Sequence, residues 1–183
     1  MRVPRTFVFV DISGFTNFTN ENGDDAAGRL LASWRAVTRE VASETGVRIA
    51  KWLGDGCMIV AVDQRDAVTF ALELQKRSGA ACAPLSIRVG MASGLALLFE
   101  GDDYIGTAVN LAARLCDAAE PFEILFPSEH IENLPEGVIV TAHEPMSLRG
   151  LNEAIPVVSL TGEATNAARN DTGELWTRSP FVL

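Results

Sequence analysis

The sequence predicts an α+β fold, and three observations predict it. Short runs of β-branched and aromatic residues alternate with longer amphipathic patterns, in the order strand, helix, strand, strand, helix, strand, then helix and strand again. The stretch "VRIAKWLGDGCMIV" (47–60) reads as two apolar strands joined by a tight Gly-Asp-Gly turn. A chain of 183 residues is long enough for one domain with a substantial core, since a domain of that size buries roughly 70% of its unfolded surface.

Each element follows from a local signal. Residues 6–12, "TFVFVDI", form a strand that ends on an aspartate, and "SGFTNFTNENG" reads as a turn into a long helix over about 24–45. Strands at 47–53 and 56–62 make the hairpin. In the first of them the two-residue period puts Val47, Ile49, Lys51 and Leu53 on one face, so that a lysine falls where a core residue is expected. "DQRDAVTFALELQKR" is a helix with Asp63 as its N-cap. After a loop containing Pro84, "LSIRVGMASGLALLF" reads as one or two strands broken near Gly94, and "GTAVNLAARLCDAA" as a helix opened by a glycine turn. Strands near 122–126, 137–141 and 155–160 complete the domain. Together they predict a ferredoxin-like βαββαβ core with additional C-terminal strands, its helices packed on one face of a mostly antiparallel sheet. Residues 1–160 form the domain, and 161–183, polar and alanine-rich, read as a tail that is ordered only if something captures it.

Charge and composition exclude several functions. The formal net charge is −9, the isoelectric point is near 4.7, and the Lys and Arg residues are scattered, so no basic patch is available for nucleic acid or an anionic membrane. Cys57, Cys82 and Cys116 are far apart and set among small or apolar residues, which suggests neither a disulfide framework nor a zinc site and suits a reducing cytoplasm. The apolar run before Asp11 is too short for a signal peptide or a membrane span. Neither G-x-G-x-x-G nor G-x-x-x-x-G-K-[ST] occurs, so the two common phosphate-cradling loops are absent. His130 and His143 are too far apart for a zinc-binding helix pair and read as surface histidines.

The charged or polar residues at unexpected places are Asp11, Lys51, Asp55, Asp103, Asn110 and Arg114. Each has an ordinary explanation. Asp11 could cap the following turn, Asp55 suits a hairpin, Lys51 could extend from a strand edge to water, Asp103 passes as a turn residue, and Asn110 and Arg114 share one helix face that solvent could cover. Their combination suggests more. If strand 6–12 lies beside the hairpin, Asp11 and Asp55 meet at one edge and could hold hard cations through oxygen ligands. Two divalent ions bridging a triphosphate are one way for an acidic protein without a P-loop to handle a polyanion.

These residues lie in four motifs, "FVDISGFTNFT", "KWLGDGCMIV", "IRVGMASG" and "DYIGTAVNLAARL", whose order and intervals resemble the catalytic domain of class III nucleotidyl cyclases, specifically an adenylate cyclase, from about Thr6 to Leu160. The resemblance implies that Asp11 and Asp55, with the carbonyl of Ile12, bind two divalent cations, Mg²⁺ or Mn²⁺. It implies that the amides of the Ser13, Gly14, Phe15 and Thr16 turn face the β- and γ-phosphates of ATP, and that Lys51 and Asp103 read the purine. Asn110 is implied to orient the ribose, and Arg114 to stabilise the transition state. The implied assembly is a homodimer with shared active sites, and the space between Gly94 and Asp103 resembles the subclass with a short dimerisation arm. Two other functions stay open at this point: a catalytically silent nucleotide-binding module of the same fold, and a guanylate cyclase.

Overall fold

The computed structural model describes residues 1–99 and 103–162. Among them the chain runs through β1 (Arg2–Ser13), α1 (Phe15–Asn22), α2 (Asp24–Thr45), β2 (Arg48–Leu53), β3 (Gly56–Ala61), α3 (Gln64–Ala81), β4 (Ser86–Phe99), β5 (Asp103–Ile105), α4 (Thr107–Ala118), β6 (Ile124–Pro127), β7 (Val138–Ala142) and β8 (Val157–Gly162). The strands form one sheet in the order β2-β3-β1-β4-β6-β8-β7, with β5 paired to β4. All pairings are antiparallel except β4 with β6. The β2-β3-β1-β4 half is the ferredoxin-like arrangement, and it puts β1 between β3 and β4.

Two of the predicted breaks are placed differently. The "SGFTNFTNENG" turn contains the separate helix α1, in which only Phe15 and Phe18 pack, partly buried, against the core, too few apolar positions to set a period. Gly23, at φ +82°, closes α1 and opens α2. β4 runs through Gly94 unbroken for 14 residues, because Gly94 is where α4 comes close and a Cβ there would meet that of Ala108 at 3.0 Å. Asp63 does cap α3, its side chain accepting from the Arg65 amide at 2.8 Å, an interaction typically worth ~1 kcal/mol. β8 runs on to Gly162, two residues beyond the predicted domain end, and residues 163–183 of the predicted tail lie outside the described residues.

The sheet is apolar on both faces, and the helices divide between them. Val8, Val10, Ile12, Ile59, Val89 and Met91 face α2 and α3, where Trp34, Phe70 and Leu74 are fully buried. Phe7, Met58, Val60 and Ala92 face the other way, against Leu111, Ala112 and Leu115 of α4. The expectation that the helices pack on one face therefore holds for α2 and α3 and is corrected for α4. A central strand such as β1, with alternate residues apolar on both sides, needs cover on both. Among the described residues no helix is long and apolar enough to cross a membrane.

Candidate active site

β1 and β3 pair with Asp11 opposite Gly56, which brings Asp55, at the tip of the β2–β3 hairpin, to the same sheet edge as Asp11. The Ile12 amide donates to the Asp55 carbonyl at 3.3 Å and ties the two segments together. The approach is close enough to require glycine. A Cβ on Gly56 would come within 2.5 Å of the Val10 carbonyl oxygen and 3.4 Å of Asp11 Oδ1.

Burial is the main reason that the Asp11 carboxyl sits above its ordinary pKa; a hydrogen bond from Arg88 pulls it down, and the nearby Asp55 charge pushes it up. Two hard oxygen donors that repel each other at one edge fit a divalent cation, which would relieve that repulsion. Among the described residues there is no group of three or more His, Cys, Asp or Glu side chains suited to a metal, so a cation here would complete its shell from backbone carbonyl, substrate or water oxygens.

The turn after Asp11 leads directly into α1. Gly14, at φ +81°, precedes the helix, and no side chain caps it. Helix-entrance amides of this kind suit an anion. Ser13 Oγ is buried with no hydrogen-bond partner among the described residues, leaving a donor at the same turn.

Lys51 is displaced from its expected face by a β-bulge. Between Ile49, opposite Ile59, and Lys51, opposite Met58, the register shifts by one. Ile49 and Trp52 pack on the α2/α3 side, whereas Ala50 packs on the α4 side with Met58. The period-two reading that grouped Lys51 with Val47 and Ile49 is therefore corrected: the extra residue turns the lysine to the opposite face. There its ammonium forms an ion pair with the carboxylate of Asp103 at the start of β5, both side chains half-exposed. This brings together residues that the sequence separates by more than fifty positions.

α4 buries Ala108, Leu111, Ala112, Leu115 and Cys116, which leaves Asn110 and Arg114 one turn apart on the side away from the core. Asn110 is exposed. The Arg114 guanidinium lies against Gly150, where a Cβ would come within 3.1 Å of Nη2. α4 is seated on β4 through small residues: a Cβ on Gly90 would come 2.0 Å from the Cys116 amide nitrogen and 2.3 Å from the Ala112 carbonyl oxygen.

Two arginines escaped the sequence reading. Arg88 on β4 donates from Nε at 3.0 Å and Nη2 at 2.7 Å to Asp11 Oδ2. Arg35 of α2 donates to the Gly54 carbonyl at 2.6 Å and packs over the Trp52 ring at 4.8 Å, which holds the turn that carries Asp55. The available signal was weak: Arg88 alternates with the apolar residues Ile87, Val89 and Met91, a pattern that also describes a solvated strand face.

His130 is not a surface residue. It is half-buried, accepts the Ser93 amide on Nδ1 at 3.2 Å, and has its pKa lowered mainly by burial. His143 is exposed and pairs with Glu123 at 2.9 Å. Cys57, Cys82 and Cys116 are free and buried; burial pushes the Cys116 thiol up to about 12 and the Cys82 thiol up to about 11, so these groups pack rather than react.

A family model described as the adenylate and guanylate cyclase catalytic domain matches residues 4–161. An uncharacterised protein of Mycobacterium tuberculosis is 35% identical over 152 residues, covering 83% of this chain and 40% of its own length. A Streptomyces coelicolor protein named adenylate cyclase is 31% identical over 126 residues, 69% of this chain and 33% of its own. The chain thus spans about two fifths or less of these relatives. Among solved structures, the adenylyl cyclase CyaB from P. aeruginosa superposes with a TM-score of 0.77 at 26% identity, covering 89% of this chain and 96% of that one. The guanylate cyclase domain of RhGC from Catenaria anguillulae, in complex with GTP, superposes with a TM-score of 0.76 at 19% identity, covering 88% and 98%. The second likeness is one of fold alone.

Proposed function

Because this chain belongs to the adenylate and guanylate cyclase catalytic-domain family, we propose that it converts ATP to 3′,5′-cyclic AMP and pyrophosphate, in a homodimer whose two chains share each active site. The observation that carries the choice of ATP is the ion pair between Lys51 and Asp103. Adenine offers a donor at its N6 amino group and an acceptor at N1, which an acidic acceptor and a lysine donor match. Guanine presents the reverse and would leave polar groups unpaired, a mismatch that discriminates by orders of magnitude. The relatives named adenylate cyclase support the same choice.

Asp11 and Asp55, with the Ile12 carbonyl, would hold two Mg²⁺ or Mn²⁺ ions, which supply charge neutralisation for the triphosphate and a lowered pKa for the attacking hydroxyl. The Ser13–Thr16 amides and the unpartnered Ser13 hydroxyl receive the β- and γ-phosphates at the α1 entrance. Asn110 orients the ribose so that its 3′-hydroxyl, giving up its proton to solvent, attacks the α-phosphorus through oxygen as the bond to pyrophosphate breaks. Arg114 meets the charge that grows on the phosphoryl oxygens. Asp11 and Asp55 come from one chain, and Lys51, Asp103, Asn110 and Arg114 from its partner. The buried free thiols suit work in a reducing cytoplasm.

Incubating the purified chain with ATP or GTP and either Mg²⁺ or Mn²⁺, and identifying the products, tests this function. Cyclic AMP and pyrophosphate are expected from ATP, with cyclic GMP formed at least ~10²-fold more slowly from GTP. Cyclic GMP as the main product would overturn the base assignment. No product from either nucleotide, with either ion and at high protein concentration, would identify a silent nucleotide-binding module instead.

A further inference from the structure

The hairpin tip that carries Asp55 draws little support from its own strands. Among the described residues β2 pairs only with β3, its register shifts between Ile49 and Lys51, and the pairing ends with Leu53 opposite Gly56. Asp55 then stands between Gly54, at φ +67°, and Gly56. Glycine has the widest backbone freedom of any residue, and the bond from the Ile12 amide to the Asp55 carbonyl is long at 3.3 Å. The firmer hold comes from α2. Arg35 Nη2 donates to the Gly54 carbonyl at 2.6 Å while its guanidinium lies 4.8 Å from the centre of the Trp52 ring. The same ring meets Arg39 at 5.2 Å and the buried Trp34 edge-on at 5.9 Å. One arginine thus grips the hairpin at two points, on the strand before the tip and at the tip itself. Packing alone does not call for this arrangement. Arg35 Nε is buried with no hydrogen-bond partner among the described residues, and two like charges share one ring, whereas an aliphatic side chain could cover Trp52 without either penalty.

We propose that Arg35 is a positioning residue, which holds the hairpin tip so that the Asp55 carboxylate stays beside Asp11 for a divalent cation. This rests on the reading of Asp55 as a metal ligand. A ligand whose backbone is ordered only at the moment of binding loses that entropy from its affinity, and here the ordering is done in advance by a long helix whose inner side is anchored in the core by Leu30, Trp34, Thr38 and Val41. Arginine suits the task better than lysine. Its planar fork can lie on the indole and donate sideways to a carbonyl at once, whereas a single ammonium serves one contact or the other. Charge alone argues the opposite way: a cation near the turn should weaken the binding of a metal ion, and its removal should strengthen it. The two effects differ in sign, so one measurement separates them.

The test is Mn²⁺ binding to the full chain, followed by electron paramagnetic resonance of the free ion, in wild type, Arg35→Met, Arg35→Lys, Arg77→Met and Asp55→Asn. Thermal unfolding reports the folded fraction of each. Arg35→Met is expected to weaken Mn²⁺ binding by ~10-fold per folded molecule, the lower end for residues that support a metal ligand from outside, and Arg35→Lys to recover part of that loss. Arg77→Met removes the ion pair to Glu44 that joins α3 to α2, and should lower the melting temperature without changing the affinity of the folded fraction. Equal weakening in Arg77→Met would overturn the proposal, since general loosening of α2 would then explain both variants. Unchanged or tighter binding in Arg35→Met would also overturn it, leaving Arg35 a purely structural residue or a competing charge. If Arg35→Met does not fold, Arg35→Lys decides alone, with wild-type affinity counting against the proposal. If Asp55→Asn binds Mn²⁺ as well as wild type, the metal-ligand reading of Asp55 is what fails, and the proposal falls with it; weakening in Asp55→Asn without weakening in Arg35→Met counts against Arg35 only.

Discussion

Replacing Arg114 by alanine is expected to lower turnover by about 10³-fold, the smaller end of what an arginine contributes when it meets developing charge in phosphoryl transfer. The folding cost should be small, because the side chain leaves α4 on the side away from the core and its guanidinium lies against the backbone of Gly150. An effect on kcat with little change in KM would mark an interaction made mainly in the transition state. Retention of wild-type turnover would remove Arg114 from the mechanism. The same variant tests the shared site. Mixed with Asp11→Ala chains, each inactive alone, it should recover about one quarter of wild-type activity, because half of randomly exchanged dimers are mixed and each of those has one intact site of two. Absence of recovery under free exchange would place every site residue within one chain.

Gly90→Ala is expected to destabilise the domain by about 3 kcal/mol, at the upper end of the usual overpacking cost. For a chain of this size that lowers the melting temperature by roughly 6–12 °C. The reason is the nature of the clash. The added methyl would sit 2.0 Å from the Cys116 amide nitrogen, 2.3 Å from the Ala112 carbonyl oxygen and 2.6 Å from the Leu115 carbonyl carbon. These are backbone atoms of α4, so no rotamer change relieves the overlap and the helix itself must lift from β4. Asn110 and Arg114 ride on that helix, and activity should therefore fall at temperatures where the variant is still folded. A melting temperature within 2 °C of wild type would mean that α4 tolerates displacement, and the close seating would then carry no positional information.

Local signals in the chain were enough to read most elements. Asp63 caps α3 because the capping bond spans two residues, and the amphipathic pattern of α4 exposes Asn110 and Arg114 because helical period is a local property. The motifs around Asp11, Lys51, Asp55 and Asp103 were legible as linear text for the same reason. α1 was not, since only Phe15 and Phe18 of its eight residues pack against the core, and two positions leave no period to detect. Arg88 was not, since a charge alternating with apolar residues looks the same whether it faces water or a carboxylate from another strand.

The kinds of element, their order and the motifs that they carry were thus written into the linear chain, because all of them depend on neighbours a few residues away. Which side of the sheet each charge occupies was set instead by long-range packing. The bulge at Ala50 turns Lys51 toward Asp103, the pairing of β1 between β3 and β4 gives Asp11 both Asp55 and Arg88 as neighbours, and α4 lies opposite α2 and α3. These outcomes depend on strand register and close backbone approach, and both are settled by contacts between residues distant in the chain.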